Sequence, residues 1–425
     1  MPQTVDTAPP LDEATRARGR RLAISSHPAG MTFWVVNTEH LPTLLLVALG
    51  ASEFQIGLQG AFLPGLQVLQ LPTMRLIARV KKRTILLLGQ VGALLGGLPL
   101  LFLDPLIMLQ GEGTVRLVVL IAFAAIAAGL NFGNTVWFPM LRNYIEPDRI
   151  GHFFSLIRSG WHVALIVYFL SAQQWLRAHP GDFAPLFIAA WWIGLLRMAL
   201  IARMPERSEI TEGQIRMREA VALLRDNPRL RRYLAGVTLN ASIRTSTLPF
   251  VIVMMRREIG IDDGQILVTT LCLYGGALLA LVPMGRLTDR IGPTPIFRMT
   301  AIGMALLLAS LITVDGSSAA DYAVLLCFFA GFSALNAGFG LADTRVLFEL
   351  APAEAPARTL VICNVVTNGL RALAPLATGA ILEALLVSGD GLPVYHALFA
   401  FMAALQVVTI VPLRGFESAG RLRRS

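Results

Sequence analysis

Charged residues are scarce in this sequence: Asp, Glu, Lys and Arg together make up 15% of its 425 residues. Soluble domains carry more charge than this, whereas 55% of the residues here are hydrophobic. With a mean hydropathy of +0.63, the composition indicates a protein that crosses a membrane several times. The net charge of +9 falls on no basic soluble domain, so we expect no nucleic-acid partner.

Cysteine pairs and nucleotide-binding patterns are also lacking. The three cysteines, Cys272, Cys327 and Cys363, fall inside apolar runs without the spacing of a metal site or a disulfide framework. No Gly-x-x-x-x-Gly-Lys-Ser/Thr loop occurs, which argues against ATP hydrolysis by this chain. No Ser/His/Asp or metal-ligand constellation occurs either, so an enzyme is the weakest of the candidate functions. We expect no cofactor and no metal.

Apolar runs of about 20 residues, the length that crosses a bilayer as a helix, occur twelve times. They lie near 28–50, 56–74, 84–103, 115–137, 155–175, 184–203, 232–255, 265–284, 295–314, 321–342, 359–386 and 393–413. If both termini are cytoplasmic, 29 of the 36 Lys and Arg residues lie on the cytoplasmic side and 4 lie outside. Because cytoplasmic loops carry the excess of Lys and Arg, this asymmetry predicts that orientation.

The spans divide the chain into two bundles with polar segments around them. We predict a cytoplasmic N-tail at 1–27, a six-helix bundle at 28–203, a cytoplasmic linker at 204–230, a second six-helix bundle at 231–413 and a cytoplasmic C-tail at 414–425. The N-tail is basic, but the apolar run after it is too long for a signal peptide and has no cleavage site. In the linker, apolar residues at helical spacing after Thr211 predict an amphipathic helix on the membrane surface.

The two bundles carry matching dipeptides in the same order, which indicates an internal duplication. The pairs are Leu41–Pro42 with Leu248–Pro249, Gln55–Ile56 with Gln265–Ile266, and Leu130–Asn131 with Leu335–Asn336. Their offsets are 207, 210 and 205 residues, close to half the chain length. We therefore expect two related halves of six spans each.

A short polar stretch, Gly285-Arg286-Leu287-Thr288-Asp289-Arg290-Ile291-Gly292, joins spans 8 and 9. Gly285 and Gly292 suit a tight hairpin, because glycine allows close helix approach and a sharp turn. Asp289 can accept hydrogen bonds from the N–H groups that open a neighbouring helix, while Arg290 stays at the headgroups. The pattern resembles the loop signature of the major facilitator superfamily of transporters.

The corresponding stretch of the first half departs from this signature. It runs from Met74 to Lys81 and keeps only Arg79 of the signature residues. The first hairpin therefore lacks the acidic residue that, in the family, helps to latch the two halves on the cytoplasmic side. The resemblance still covers nearly the whole chain. It implies an all-α membrane protein of twelve helices, in two pseudo-symmetric six-helix bundles, that works by alternating access.

Polar residues recur in spans 1, 4, 7 and 10, which line the central cavity in this family. The candidates for a substrate and proton pathway are Asn37, Glu39, His40, Asn131, Asn134, Asn240, Arg244 and Asn336, together with Arg371 in span 11. Ionisable groups deep in a span are costly to insert, so each is a functional hypothesis by default. Glu39 is the best proton carrier, and Arg244, helped by Arg371, would bind an anionic part of the substrate.

Several of these candidates also have a purely structural explanation. Asn131 and Asn336 would serve equally well as hydrogen-bonding partners between helices. Glu39 and Arg244 would be compatible with a permanent buried pair that never contacts substrate. Arg158 and Arg197 lie near cytoplasmic span ends, so we expect their side chains to reach the headgroups and to stay outside the site.

These observations favour a monomeric secondary transporter of a small solute in a bacterial-type inner membrane, with protons as the candidate coupling ion. The alternative is an accessory protein of the same fold that delivers a cofactor or pigment, or that assembles a membrane complex. Titratable groups at mid-membrane favour transport, since an assembly factor has no need of them. The Gly-x-x-x-Gly-Pro signature of the family's drug–proton antiporters is absent from 155–175, which argues against drug export. The substrate and the direction of transport stay open.

The predicted topology can be tested with reporter fusions. Fusions at 110, 180, 260, 317 and 390 should report an external location, and those at 215 and 425 an internal one, because the Lys and Arg excess then faces the cytoplasm. Paired enzyme and fluorescence reporters at each position provide the control. If the fusions in one half of the chain reported the opposite side of the membrane, the predicted topology would be wrong.

Overall fold

The computed structural model describes residues 11–77, 79–141, 143–145, 150–206, 225–350, 356–387, 389 and 391–416. Within these ranges every regular element is helical and no strand occurs. Helices satisfy their backbone hydrogen bonds internally, which a bilayer demands because it offers no water. The predicted linker helix after Thr211 and most of the C-tail lie outside the described residues.

Span 1 and span 2 of the first half are each made of more than one helix. In chain order this half contains α1 (Glu13–Thr38), α2 (His40–Ala48), α3 (Glu53–Gly65), a 3-10 turn (Leu66–Leu69), α4 (Gln70–Ile77), α5 (Lys82–Gly96), a 3-10 turn (Leu98–Phe102), α6 (Leu103–Asn134), α7 (Trp137–Leu141), α8 (Ile150–Ala178) and α9 (Ala184–Ala202). Within α6, Gly111 adopts a positive φ of 74°, which breaks the helix just before the long apolar part of span 4.

The second half consists mostly of long helices, and its spans 7 and 8 are each formed largely by one continuous helix. It contains α10 (Pro228–Val253), a π-turn (Met254–Glu258), α11 (Asp263–Ile291), α12 (Pro293–Ser310), a 3-10 turn (Leu311–Thr313), α13 (Ala319–Leu350), α14 (Pro356–Arg371), α15 (Leu373–Leu386) and α16 (Gly391–Val408). Each of the twelve predicted spans overlaps one or more of the helices in the two halves.

Eight segments of the described chain are long and apolar enough to cross a membrane. One of them, Lys82–Leu141, has 60 residues. At about 1.5 Å per residue it would measure about 90 Å, three times the thickness of the hydrocarbon core, so it must cross more than once. The prediction of a multi-pass, all-α membrane protein is therefore confirmed.

The chain folds into two compact units. Unit 1 comprises 1–42, 66–168 and 182–215, and unit 2 comprises 43–65, 169–181 and 216–425. Unit 2 therefore includes most of α2, all of α3 and the end of α8, which belong to the first six spans in sequence. The sequence analysis places the boundary between the bundles in the linker, whereas the compact units group these segments with the later helices.

In unit 2, α3 and α15 touch at backbone level. A side chain at Gly57 would overlap the carbonyl oxygen of Pro375, and one at Gly379 would overlap that of Glu53. The contact is extended by Glu383, whose carboxylate accepts a hydrogen bond from the first-turn N–H of Phe54 at 3.0 Å. Small residues allow this packing, which is the usual way in which helices associate inside a membrane.

We expect Gly379→Ala to lower the midpoint of thermal unfolding in detergent, because overpacking against a backbone carbonyl costs about 1–3 kcal/mol. Gly275→Ala in α11 is the matched control, since a methyl group there meets nothing within 4 Å. Alanine is also the better helix former, so this control should be neutral or stabilising. Equal midpoints for the two variants would contradict the close packing of α3 and α15.

Candidate functional site

Span 1 is interrupted at Glu39, where the backbone leaves the helical region. Glu39 has φ −111° and ψ −121°, between the end of α1 at Thr38 and the start of α2 at His40. The side chain of Glu39 is half-buried and that of His40 is buried. Broken helices at membrane depth are tolerated where they border a cavity or are enclosed by protein. The interruption thus places a carboxylate at the kind of position where transporters bind ions.

Two of the predicted asparagines of unit 1 donate to backbone carbonyl groups of their own helices. Asn37 Nδ2 donates to the carbonyl oxygen of Phe33 at 2.7 Å, and Asn131 Nδ2 donates to that of Ala127 at 3.0 Å. Asn134 differs, because its Oδ1 accepts a hydrogen bond at 3.4 Å from Nη2 of Arg197 on α9. Asn134 therefore meets a charged group.

Asn240 forms a hydrogen bond between two helices, with a residue that is not among those predicted for the substrate pathway. Its Oδ1 accepts a hydrogen bond from Gln406 Nε2 of α16 at 2.8 Å, and both side chains are buried. Two neutral amides that satisfy each other stabilise the packing of α10 against α16. We therefore leave Asn240 out of the site that we propose below.

Span 11 carries a polar face that the sequence analysis identified only at Arg371. Asn364, Asn368 and Arg371 are spaced i, i+4, i+7 and so lie on one face of α14. Asn368 is only 4% exposed and donates through Nδ2 to the Asn364 carbonyl oxygen at 2.7 Å. Among the described residues, neither Asn368 Oδ1 nor Arg371 Nε has a hydrogen-bond partner, although both atoms are buried. One acceptor and one donor are thus left unsatisfied on the same face.

A second charged cluster of unit 2 surrounds Asp343, which the sequence analysis missed. The fully buried Tyr233 donates its hydroxyl to the Asp343 carboxylate. Arg244 lies close enough to attract Asp343 and to repel Arg371. Asn336, half-buried on α13, precedes Asp343 by seven residues and shares its face. A side chain at Gly340 on that face would meet nothing within 4 Å, so the face borders open space.

The hairpin between α11 and α12 has the sharp turn predicted for Gly292, whose φ is 81°. Asp289 is 85% exposed and lies 3.9 Å from Arg345 Nη1 on α13, so in this conformation its nearest ionic partner is that arginine. Arg290 and Arg79 are exposed. At Gly285 a side chain would meet only Leu341, at 3.9 Å, so close packing does not require glycine there.

The prediction that Arg197 reaches the headgroups is wrong. Its side chain is 6% exposed and is enclosed in unit 1, because Gly30 of α1 has no side chain to fill that space. Arg158, the other arginine expected to extend outwards, is exposed.

An all-helical chain with multiple membrane-crossing segments and buried charges between its helices has the architecture of a membrane transporter. The chain belongs to the major facilitator superfamily, whose family model matches residues 22–375 and, in a second match, 233–421. This confirms the resemblance drawn from the hairpin, and it defines the chain as a transporter rather than an enzyme.

Solved structures of the same family share the fold at low sequence identity. A point mutant of the nucleoside transporter NupG superposes with a TM-score of 0.72 at 13% identity, covering 95% of this chain and 99% of that one. A POT family transporter in complex with 5-aminolevulinic acid gives 0.70 at 12% identity, with coverages of 93% and 95%. The xylose transporter XylE from E. coli gives 0.63 at 14%, covering 96% of each chain. No curated protein sequence matches this chain.

The contact between Tyr233 and Asp343 predicts an asymmetry between two tyrosine variants. Tyr233→Phe removes a donor from a carboxylate and should cost about 1.5–3 kcal/mol of stability. Tyr322→Phe is the matched control, because its hydroxyl donates to a neutral carbonyl, that of Gln265 at 3.0 Å, and should cost about 0.5–1.5 kcal/mol. Thermal unfolding in detergent measures both. The stability lost in Tyr233→Phe should be smaller when Asp343→Asn is already present. If the stability losses of the two single variants simply add in the double variant, the contact between Tyr233 and Asp343 is contradicted.

Proposed function

We propose that the protein is a proton-coupled secondary transporter that carries a small zwitterionic or hydroxylated anionic solute by alternating access. The observation that supports this most is the pair of unsatisfied buried atoms on α14, Asn368 Oδ1 and Arg371 Nε. Each such atom costs about 1–3 kcal/mol when it is left without a partner. A ligand that presents an acceptor to Arg371 and a donor to Asn368 would remove both costs together.

The charge around these atoms favours an acidic group as the acceptor. Arg244 and Arg371 are close enough to repel each other, and Arg244 also attracts the carboxylate of Asp343. A substrate carboxylate or phosphate would relieve the repulsion and would match the planar fork of a guanidinium at two points. Asn368 Oδ1 would then accept from an ammonium or hydroxyl group of the same molecule.

Proton coupling rests on the carboxylates. Glu39 at the interruption of span 1 is the proposed proton carrier, and Asp343 is a second candidate because it lies within the electrostatic reach of Arg244. A carboxyl group near a cation can change its charge as the cation gains or loses another partner. Among the proteins of the same fold, one is described as a D-xylose–proton symporter, with a TM-score of 0.63 at 17% identity. Another is described as bound to 5-aminolevulinic acid, a zwitterion.

The membrane and orientation are part of the proposal. We propose a bacterial-type inner membrane with both termini cytoplasmic, supported by the Lys and Arg asymmetry, and a monomer as the transporting unit. In this orientation α13 and α14 run in opposite directions, and Asp343 lies in the part of α13 nearer the cytoplasm.

Ligand binding can be measured as thermal stabilisation of the purified protein by L-alanine, L-lactate and glycerol 3-phosphate, with D-xylose as the neutral comparison. We expect Arg371→Lys to weaken binding of the stabilising ligand by at least about tenfold, because lysine keeps the charge but not the fork. Asn368→Leu should weaken it as well. Arg286→Lys, at an exposed arginine of the 8–9 hairpin, is the matched control.

Unchanged affinity in both Arg371→Lys and Asn368→Leu would show that the ligand binds elsewhere. Proteoliposomes then separate the two functional classes. A transporter should accumulate the bound ligand, and an imposed pH gradient should change the rate. A ligand that binds at Arg371 but never crosses the membrane would instead identify an accessory protein.

A further inference from the structure

Arg197 is a buried cation of unit 1 that the proposed transport site does not use. It lies on α9, five residues before the helix ends at Ala202, and is 6% exposed. Its guanidinium packs over Gly30 of α1, where a Cβ atom would lie 2.6 Å from Arg197 Nε. On another side the Cζ atom lies 5.9 Å from the centroid of the Trp137 ring.

The described groups that contact Arg197 are a neutral amide and an aromatic ring rather than counter-charges. His27 stacks on Trp137 with ring centroids 5.6 Å apart, and it is close enough to Arg197 for their charges to interact unfavourably. Asn134 uses its Oδ1 on Arg197 Nη2, which leaves its NH₂ group as a donor. Within the described part of the chain, no carboxylate lies within 4 Å of the Arg197 guanidinium.

The contacts made by Arg197 do not offset the cost of burying it. A buried cation without a counter-charge costs several kcal/mol. One hydrogen bond at 3.4 Å is weak, and a cation–π contact contributes about 0.5–2 kcal/mol. Nε has no partner at all among the described residues. The remaining cost of burying the Arg197 cation must be offset by a bound anion, or the charge must be needed to hold the structure together.

The second half of the chain argues against a structural need. Gln406 of α16 follows Arg197 by 209 residues, inside the range of 205–210 that relates the two halves in sequence. In unit 2 that glutamine bonds Asn240 at 2.8 Å as a neutral pair. A neutral amide thus serves helix packing at this position of the fold, so the charge of Arg197 needs another explanation.

We propose that Arg197, with His27 and Asn134, binds an oxyanion (a phosphate or carboxylate group) inside unit 1. This site is separate from the one at Arg371 and does not depend on the proposed substrate. The terminal nitrogens of Arg197 and the Asn134 amide supply the hydrogen bonds, since a guanidinium binds such groups at two points. The Trp137 ring shields one face of the guanidinium, which strengthens the interaction with the anion. The oxyanion would come either from a soluble molecule or from a lipid headgroup.

The first experiment compares thermal unfolding in phosphate and in chloride at equal ionic strength, in detergent. A ligand that binds only the folded state raises the unfolding temperature with its concentration. We expect phosphate to stabilise the unmodified protein and the Arg371→Lys variant, and to lose this effect in Arg197→Gln, which copies the neutral side chain of Gln406. If phosphate still stabilises the Arg371→Lys variant, the phosphate site is distinct from the proposed transport site.

The lipid source is tested in the same way in nanodiscs with phosphatidylglycerol or phosphatidylcholine. Stabilisation by phosphatidylglycerol alone, lost in Arg197→Gln, would identify a lipid phosphate as the occupant. An Arg197→Gln variant that responds like the unmodified protein in both arms would overturn the proposal, as would an unmodified protein that responds to neither oxyanion.

A second variant keeps the test decisive if Arg197→Gln does not fold. Asn134→Asp places a carboxylate at the position that already contacts Arg197, so it should replace the anion. We expect this variant to be more stable than the unmodified protein without phosphate, and to bind phosphate at least about tenfold more weakly. Asn131→Asp, three residues earlier on α6 and bonded to its own helix, is the matched control. It should be destabilised and keep its phosphate response. An unchanged response in Asn134→Asp would overturn the proposal.

Discussion

A polar group inside a bilayer must find its partner within the protein, and this constraint governs every level of the structure. The backbone meets it by forming helices throughout the described residues. Buried side chains meet it locally, as when Asn37 donates to a carbonyl group one turn away, or in pairs, as with Asn240 and Gln406. Because these solutions are so general, a buried polar atom without one is informative. Asn368 Oδ1 is such an atom, and for that reason it carries more weight than the many satisfied polar groups.

The two halves that the sequence predicts to be related meet this constraint differently at one pair of positions. The sequence offset that relates the halves brings Arg197 into register with Gln406, yet one residue is a cation and the other a neutral amide. Unit 2 places a carboxylate, Asp343, within reach of its cations. For Arg197 in unit 1, the described contacts are a neutral amide oxygen and an aromatic ring. At this pair of positions, a buried cation in unit 1 therefore corresponds to a neutral amide in unit 2.

Sequence reasoning was most effective where the physics is local. Hydropathy located the helices, and the turn at Gly292 followed from glycine's freedom at positive φ. The burial of Arg197 could not be predicted in this way, because it depends on Gly30, which is 167 positions away in the chain and has no side chain. Asp343 was missed because the apolar run stops at 342 while the helix continues to Leu350. Asn368 was within reach of the sequence, since its spacing from Arg371 places both on one helix face.

Charge balance suggests how substrate and proton movements would be linked in the proposed cycle. When an anionic substrate leaves, Arg244 and Arg371 again face each other without its negative charge, and their repulsion returns. A protonated carboxyl group that then loses its proton supplies the missing charge without any new ligand. Asp343 lies within the electrostatic reach of Arg244, and Tyr233 already provides it with a donor that favours the ionised form. Substrate release and proton release would therefore favour each other, because together they leave the cations with one negative partner, whereas either release alone would leave none or two.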